Sequence, residues 1–221
     1  MNKTNYFGNE WIGLFAKTNN KYTIAPIDSP KKFVDELEEC LKTTCILTTI
    51  GDTNLAGGYL CMNSNGIVLP NIASEKEKKY LEKETGLSVY ISKTNYNAHA
   101  NNIVVNDRCG LINPHVEENE KEKIEDALQI KLQYCKIADY STIGSNILMN
   151  NRGFVANFRA SEKELAEIEK RVGIKGARGT INTGVGFISL GAIANDNGYV
   201  VGNATTSYEM GRIEEVLEFI R

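Results

Sequence analysis

The sequence has little of what membrane-spanning, secreted and catalytic proteins usually contain. Its 221 residues include only 4 Pro and 2 His, and no apolar run approaches the ~20 residues of a membrane span. The N-terminal residues also lack an apolar stretch of the signal-peptide type. No segment rich in Pro, Gly or Ser divides the chain. We therefore expect a single cytoplasmic domain, residues 1–221, that is monomeric.

An excess of positive charge is also missing. The net charge is −3, whereas proteins that bind nucleic acids through their phosphates are usually basic. We therefore expect a protein surface as the main partner, with no DNA and no membrane. Mild acidity suits a basic protein partner, because opposite charges speed the encounter.

Side chains suited to catalysis or metal binding are few. His99 and His115 are the two imidazoles, and a nucleophilic pair of Cys109 with His115 has no clear orienting partner. The glycines in residues 184–186 fit neither the dinucleotide nor the Walker A spacing. The 5 cysteines form no CxxC pair and are interpreted as buried free thiols. The acidic run Glu117–Glu125 is interpreted as solvated surface. We predict no catalytic residue, no cofactor and no metal site.

What the sequence does contain is an internal repeat. Glycines recur at intervals of 44, 43 and 45 residues, and prolines at intervals of 44 and 44. Each repeat has an apolar strand, a polar turn and a second apolar strand, which predicts a β-hairpin. The third turn, Asn106–Gly110, has one extra residue in this alignment, which indicates a bulge or a functional protrusion. The repeat glycines are Gly66, Gly110, Gly153 and Gly198, and the prolines are Pro26, Pro70 and Pro114.

Helices are predicted after the hairpins. Three capping boxes mark helix starts, and Ser29 is predicted to cap a helix whose first residue is Pro30. A further strand is predicted after four of the helices, and the N-terminal segment Lys3–Phe7 is expected to fill the vacant strand position in the fifth unit. The capping boxes begin at Ser74, Ser161 and Thr206, and the further strands are Thr44–Ile50, Leu87–Ser92, Ile130–Ile137 and Gly176–Asn182.

These elements predict an α/β fold of five units that closes into a ring with no exposed sheet edge. The N-terminal strand is expected to close the ring. The expected units are residues 8–51, 52–92, 93–138, 139–182 and 183–221, with the strand at 3–7 completing the last. A ring of five similar units without predicted catalytic residues can act only through its surface, which indicates a binding role.

Segments along essentially the whole chain resemble the translation initiation factor 6 family, in its order and spacing. The chain looks like an archaeal member, since no eukaryotic type of C-terminal tail follows the last predicted helix. The matching segments are Ile12–Lys17, Asn63–Pro70, Asn106-Asp107 with Pro114, Gly144–Asn146 and Gly202–Glu215.

The resemblance implies a pentein fold, in which five α/β units surround a pseudo-fivefold axis. It implies binding to the large ribosomal subunit, chiefly to a ribosomal protein of the L14 class near the sarcin–ricin loop. The bound protein would keep the small subunit from associating, with a further role in large-subunit maturation. Carried over by position, the ribosome-binding residues are Gly13, Gly58, Asn63, Gly66 and Asn106, each of which is also readily interpreted as a turn former.

Two other functions stay open at this point. Enzymes with the pentein fold modify guanidino groups, but they need a Cys late in the chain and a His, whereas here the last Cys is Cys135 and the last His is His115. The second open function is that of a scaffold or clamp without a ribosomal partner. For the leading hypothesis, the substitution Asn106→Arg is expected to weaken subunit binding and to leave thermal stability near that of the wild type.

Overall fold

The computed structural model describes residues 2–220. It contains five sheets of three strands each. In the first sheet, two antiparallel strands are joined by a tight turn, a helix follows, and a third strand pairs in parallel with the second. The other four sheets repeat this pattern of pairing. The predicted α/β fold of five similar units is confirmed.

The strands take three positions in each sheet, which we call inner, middle and outer. The inner strands are β2 (Lys17–Thr18), β5 (Cys61–Met62), β8 (Ile103–Val105), β11 (Ile147–Met149) and β14 (Ala192–Ala194). The middle strands are β3 (Tyr22–Pro26), β6 (Gly66–Leu69), β9 (Cys109–Ile112), β12 (Gly153–Asn157) and β15 (Tyr199–Gly202). The outer strands are β4 (Thr44–Thr48), β7 (Ser88–Ile91), β10 (Lys131–Tyr134), β13 (Lys175–Gly179) and β1 (Lys3–Thr4).

A long helix follows each middle strand, and a short helical segment precedes each inner strand. The long helices are α1 (Lys31–Leu41), α3 (Glu75–Thr85), α5 (Glu118–Leu128), α7 (Glu162–Val172) and α9 (Ser207–Val216). The short segments are a 3₁₀ turn at Ile12–Leu14 and the helices α2 (Ala56–Tyr59), α4 (His99–Asn102), α6 (Ile143–Asn146) and α8 (Ile188–Gly191).

The outer strand of the fifth sheet comes from the start of the chain. Lys3 and Thr4 pair in parallel with Val201 and Gly202 of β15. This strand is shorter than the predicted segment, because Tyr6 turns back and forms a β-bridge of its own.

Local sequence signals fix where most long helices begin. At the three predicted capping boxes, the Ser or Thr side chain accepts a hydrogen bond from a backbone N–H of the first turn. The Glu carboxylate in turn accepts one from the backbone N–H of the cap residue. In α1 the prediction was wrong by one residue: Pro30 is the N-cap residue and Lys31 is the first helical residue. The confirmed boxes are Ser74 with Glu77, Ser161 with Glu164 and Thr206 with Glu209.

The hydrophobic core lies between neighbouring units, in five clusters. One of these clusters joins the last unit to the first: Phe33 and Leu37 of α1 pack with Ile193 and Val200 of the fifth sheet. Each unit buries its apolar face against the next, as repeat proteins do.

The molecule has two ends, which the inner strands connect. The turn end carries the five hairpin turns, residues 19–22, 63–66, 106–109, 150–153 and 195–198. The loop end carries the loops after the middle strands and the short helical segments before the inner strands.

The third hairpin turn has the same length as the others. The Asn106 N–H donates to the Cys109 carbonyl at 3.0 Å, as the Asn63 N–H does to the Gly66 carbonyl at 3.1 Å. Cys109, rather than Gly110, is therefore the repeat equivalent of Gly66. The prediction of an extra residue and a protruding turn was wrong, because the alignment followed glycine identity where the repeat substitutes a cysteine.

The acidic run at 117–125 is only partly solvated. Glu120 and Glu125 of α5 are buried. Glu120 accepts hydrogen bonds from the Tyr90 hydroxyl at 2.6 Å and the Lys93 N–H at 2.7 Å. Glu125 accepts from the Leu132 N–H of β10 at 2.8 Å. The interpretation of the whole run as surface was wrong at these two positions, where the Glu120 carboxylate ties the helix to the preceding unit and the Glu125 carboxylate ties it to the outer strand of its own unit.

Candidate functional site

The turn end is joined by five asparagines, one at the first position of each hairpin turn. Each side-chain N–H donates to the backbone carbonyl of the asparagine in the next unit, and the fifth donates to the first. Buried polar groups need hydrogen-bond partners. This series of bonds provides a donor for the buried backbone carbonyl of each asparagine. The donor–acceptor pairs are Asn19 to Asn63 at 2.9 Å, Asn63 to Asn106 at 3.2 Å, Asn106 to Asn150 at 3.2 Å, Asn150 to Asn195 at 3.3 Å and Asn195 to Asn19 at 2.9 Å.

The same asparagines hold their own turns, and Asn63, Asn150 and Asn195 also hold the end of a long helix. The Asn63 Oδ1 accepts from the N–H groups of Asn65 and Gly66 at 2.9 and 3.0 Å. Its Nδ2 donates to the Leu128 carbonyl at 2.9 Å, which lies at the C-terminal end of α5, where carbonyls lack intrahelical partners. Gly66 lies so close to this helix end that a Cβ would meet the Ala127 carbonyl oxygen at 2.0 Å. Asn63 and Gly66 are therefore packing and capping residues of the turn end.

The second turn positions form a polar cluster around the axis. Asn20 donates to Asp107 at 3.0 Å and to Asp196 at 2.7 Å. Asn151 donates to the same two carboxylates, at 2.7 and 2.5 Å. Both amide oxygens in turn accept backbone N–H groups, from Asp107 and Asp196. We call these four residues the axial cluster.

At the loop end, the short helical segments pack closely around the same axis. A Cβ on Gly13 would meet the Ser189 carbonyl oxygen at 2.0 Å, and a Cβ on Gly57 would meet the Gly13 carbonyl oxygen at 2.4 Å. Gly58 is buried as well, but a Cβ there would lie 3.7 Å from Leu14, an ordinary contact. Gly13 is thus required by close approach of the backbone, and Gly58 is not.

Apolar side chains are exposed at the loop end. Phe7 is 68% exposed, Ile27 63%, Ile72 45% and Leu55 39%, and we call these four residues the loop-end patch. Each follows the end of a middle or outer strand or precedes a short helix, so all four lie at this end. Exposed apolar side chains that are grouped in this way are typical of protein interaction sites.

Contacts between neighbouring loops connect the patch. Phe7 packs edge-on against Tyr6, whose hydroxyl donates to Asp28, the residue after Ile27. Asn54, which precedes Leu55, donates to the same carboxylate at 2.8 Å. Asp28 therefore joins the loops that carry Phe7, Ile27 and Leu55. Ile72 lies beside Gly51, in the loop that leads to Leu55.

Carboxylates beneath the loop end stabilise its tight turns. Glu209 accepts from the Thr206 and Gly184 backbone N–H groups at 2.7 and 2.9 Å and from the Thr180 hydroxyl at 2.8 Å. Burial alone would raise the pKa of Glu209, but these hydrogen bonds outweigh it and lower the pKa below its usual value. Glu77 and Glu164 have lowered pKa values for the same reasons.

The Cys109 thiol and the His115 imidazole contact different partners and do not contact each other. Cys109 donates to the Val172 carbonyl at 3.3 Å, and burial raises its pKa. His115 lies 3.3 Å from the Ser141 hydroxyl. Burial lowers the pKa of His99 to about 4, so its ring is neutral near pH 7. A thiol with a raised pKa is a poor nucleophile, because the thiolate is the reactive form.

The five predicted ribosome-binding residues divide between the two ends. Gly13 and Gly58 lie at the loop end, whereas Asn63, Gly66 and Asn106 lie at the turn end. All five are buried; Asn106 is 6% exposed and bonded to the next unit. The expectation that Asn106→Arg leaves stability near that of the wild type is therefore withdrawn.

The other members of the asparagine series were missed at the sequence level. Asn19, Asn63, Asn106, Asn150 and Asn195 recur at intervals of 44, 43, 44 and 45 residues, and this spacing was the signal available. Within residues 2–220, no helix is long and apolar enough to cross a membrane. The described part of the chain also holds no group of three or more His, Cys, Asp or Glu side chains arranged to bind a metal ion.

Solved structures with a similar fold include the N-terminal domain of ArgZ, an arginine dihydrolase from the ornithine–ammonia cycle in cyanobacteria. The substrate-bound C264S mutant superposes with a TM-score of 0.50 at 9% identity, over 76% of this chain and 68% of that one. The product-bound form gives a TM-score of 0.50 at 10% identity, over 76% of this chain and 67% of that one. At this identity the likeness concerns the fold alone.

Sequence relatives are closer and extend over the whole chain. Translation initiation factor 6 of Halorubrum lacusprofundi is 40% identical over 220 residues, which is 100% of both chains. The proteins of the same name from Natronomonas pharaonis and Archaeoglobus fulgidus are 37% identical over 214 and 210 residues, at least 95% of each chain. The profile of the eIF-6 family matches residues 1–216. The chain therefore belongs to the eIF-6 family of translation initiation factors.

Proposed function

We propose that this protein binds the large ribosomal subunit and prevents the small subunit from associating with it, and that it takes part in maturation of the large subunit in the cytoplasm. The observation that carries the proposal is the family match over residues 1–216, together with archaeal relatives named translation initiation factor 6. The mechanism is occlusion, which requires a stable footprint and no chemistry.

The loop-end patch is our candidate for the docking surface. Aromatic and aliphatic side chains are enriched in the buried centres of protein interfaces, and a specific footprint covers roughly 800 Å² on each partner. Asp28 and Asp52 are exposed beside the patch. This pairing of apolar and acidic groups suits a basic ribosomal protein, which we propose is the L14-class protein near the sarcin–ricin loop.

The five residues carried over from the family act in this proposal by shaping the surface. Gly13 brings the first and last units together beneath the loop end, and Gly58 lies in the short helix next to Leu55 of the patch. Asn63, Gly66 and Asn106 hold the opposite end in place. Because these five residues are buried, we expect their exposed neighbours to make the direct contacts with the ribosomal partner.

A hydrolase acting on guanidino compounds is not favoured. Burial raises the pKa of Cys45 and of Cys61 to about 12, and raises the pKa of Cys40, Cys109 and Cys135. The imidazole of His99 is buried and within 3.2 Å of the Leu69 carbonyl. These groups support a binding protein without a nucleophile.

Sedimentation of ribosomal subunits with the purified protein tests the proposal. With the protein in excess, the large subunit should carry it and should fail to join the small subunit. Complete joining of the subunits under saturating protein would refute the proposed anti-association activity.

A surface variant tests the docking face. Ile27→Lys should weaken binding to large subunits at least about tenfold, because a charge at an interface centre is costly to desolvate. Tyr80→Lys is the matched control, since Tyr80 is also exposed but lies on the outer helix α3. If both variants bind like the wild type while remaining folded, the patch is not the docking face.

A further inference from the structure

The loops between the outer strands and the short helical segments turn tightly at the loop end. In three of them, an isolated β-bridge encloses two central residues, and both central residues have positive φ. Two consecutive left-handed residues between bridged neighbours form a type I′ turn. We call these three the tip turns, and their central residues are Phe7 and Gly8, Gly51 and Asp52, and Ala138 and Asp139.

Phe7 is an unusual residue for such a turn. A left-handed backbone suits Gly and is tolerated by Asn and Asp, whereas it is an outlier for a bulky side chain. At the first central position the other tip turns have Gly51 and Ala138, and the loop after β13 begins its left-handed stretch with Asn182. Among these described turns, Phe7, with a φ of +50°, alone has a large side chain at this position.

The backbone conformation of Phe7 gains little burial in return. Its side chain is 68% exposed, and within residues 2–220 it joins none of the five core clusters. Asn or Gly at this position would therefore serve the fold better. A costly backbone conformation that the fold does not need is typical of functional sites.

The tip that carries Phe7 is rigid. Tyr6 and Asn9 exchange backbone hydrogen bonds of 3.0 and 2.9 Å across the turn. The Tyr6 ring is stacked on Phe15 with 4.1 Å between the ring centroids, and its hydroxyl donates to Asp28. Phe7 packs edge-on against this fixed Tyr6 ring, with 5.0 Å between the centroids. Since the turn is already ordered, little further freedom is lost when a partner binds the Phe7 ring.

The neighbours of Phe7 indicate the chemistry of its partner. Ile27 and Leu55 belong to the same exposed patch, and Asp28 and Asp52 are exposed beside it. Aromatic side chains are enriched at interface centres, where a few residues contribute most of the binding free energy. Carboxylates next to such a centre favour a partner pocket that is bordered by Lys or Arg.

We propose that Phe7 is the anchor residue of the loop-end patch. Its ring, presented by the left-handed turn, enters an apolar pocket of a basic protein of the large ribosomal subunit, and the basic side chains around that pocket face Asp28 and Asp52. This inference rests on the proposed function and assigns to one residue most of the affinity of the docking surface.

Phe7→Asn tests the anchor, because it introduces the Asn-Gly pair that type I′ turns favour. Two opposite effects are expected. The midpoint of thermal unfolding should rise by about 2–4 °C, since the left-handed strain is relieved. The affinity for large ribosomal subunits should fall at least about tenfold, since an interface hot spot is lost. A residue that serves only the fold would instead lower the unfolding midpoint when replaced.

Ala138→Gly is the matched control. It changes the first central residue of another tip turn, outside the loop-end patch, and should bind large subunits like the wild type. Binding is measured by co-sedimentation with purified large subunits over a range of protein concentrations, and stability by thermal unfolding of the same samples without ribosomes.

The outcomes separate the anchor from the proposed function. If Ile27→Lys weakens binding but Phe7→Asn binds like the wild type, the patch docks and Phe7 is not its anchor. A lower unfolding midpoint for Phe7→Asn would also overturn the assignment, because the fold itself would then need the ring. Failure of the wild type to bind large subunits would refute the proposed function, and the anchor with it.

Discussion

The turn end and the loop end are built by different means. At the turn end, one residue type at one repeat position makes the same hydrogen bonds in unit after unit, and little of it is exposed. At the loop end, close backbone contact at the axis and buried carboxylates join the units, and the apolar side chains of the loop-end patch stay exposed. Features repeated in every unit therefore serve the fold, and features that differ between units are the better indicators of function.

The largest effect is expected where backbones touch at the loop end. Gly13→Ala should lower the free energy of unfolding by about 3 kcal/mol or more, because the added methyl group would collide with the Ser189 carbonyl and the backbone must shift. Gly58→Ala, at the second buried glycine of this end, should be nearly neutral because it has room. Urea unfolding of both variants measures the difference. Equal stability of the two would remove close approach as the role of Gly13.

A smaller loss is expected at the turn end. Asn150→Ala removes donors to the Asn195 and Leu217 carbonyls and the acceptor for two N–H groups of its own turn. The Leu217 carbonyl keeps the Arg152 Nε–H as a donor. Leaving the Asn195 carbonyl and the two turn N–H groups without partners should still cost about 2–3 kcal/mol in the free energy of unfolding. Asn197→Ala, at an exposed turn position, serves as the control and should cost about 0.5 kcal/mol. A small effect at Asn150 would mean that the asparagine series is not what holds the turn end.

The smallest effect concerns the carboxylates and depends on pH. The pKa of Glu209 is lowered in the folded state, so its stabilising contribution is present above the unfolded value of about 4.3 and is lost as the pH falls through the folded value. Glu209→Gln should lower the free energy of unfolding by about 1–2 kcal/mol at pH 7, and the gap to the wild type should close towards pH 3. Unfolding curves between pH 7 and 3 measure this. Glu122→Gln, at an exposed position of α5, is the control, and a gap for Glu209→Gln that is constant with pH would contradict the assignment.

Local signals made much of the fold predictable from the sequence. The capping boxes at Ser74, Ser161 and Thr206 fixed three helix starts, because cap geometry depends on residues within one turn. The strand predicted at Thr44–Ile50 is observed as Thr44–Thr48. The short helices before the inner strands were missed, since none has a side-chain cap. Tertiary packing, rather than local sequence, determines them.

The candidate site was less predictable, because glycine and asparagine look alike whether they serve a turn or a partner. Gly66 and Asn63 appeared as rim residues, yet both are buried against the end of α5. The apolar residues of the loop-end patch, such as Ile27, carry no periodic signal that separates them from core residues. Only the structure distinguishes a strand's last buried residue from the exposed one after it.

The pairing of β1 with β15 has a consequence for how the protein is made. Lys3 leaves the ribosome long before its partner Val201 is synthesised. At typical elongation rates the interval is roughly 10–40 s. During that time the first strand has no sheet to join, so the nascent chain can stack its early units but cannot complete the last one. Joining of the two termini is consequently a late, long-range step, and assembly of this fold finishes only as synthesis does.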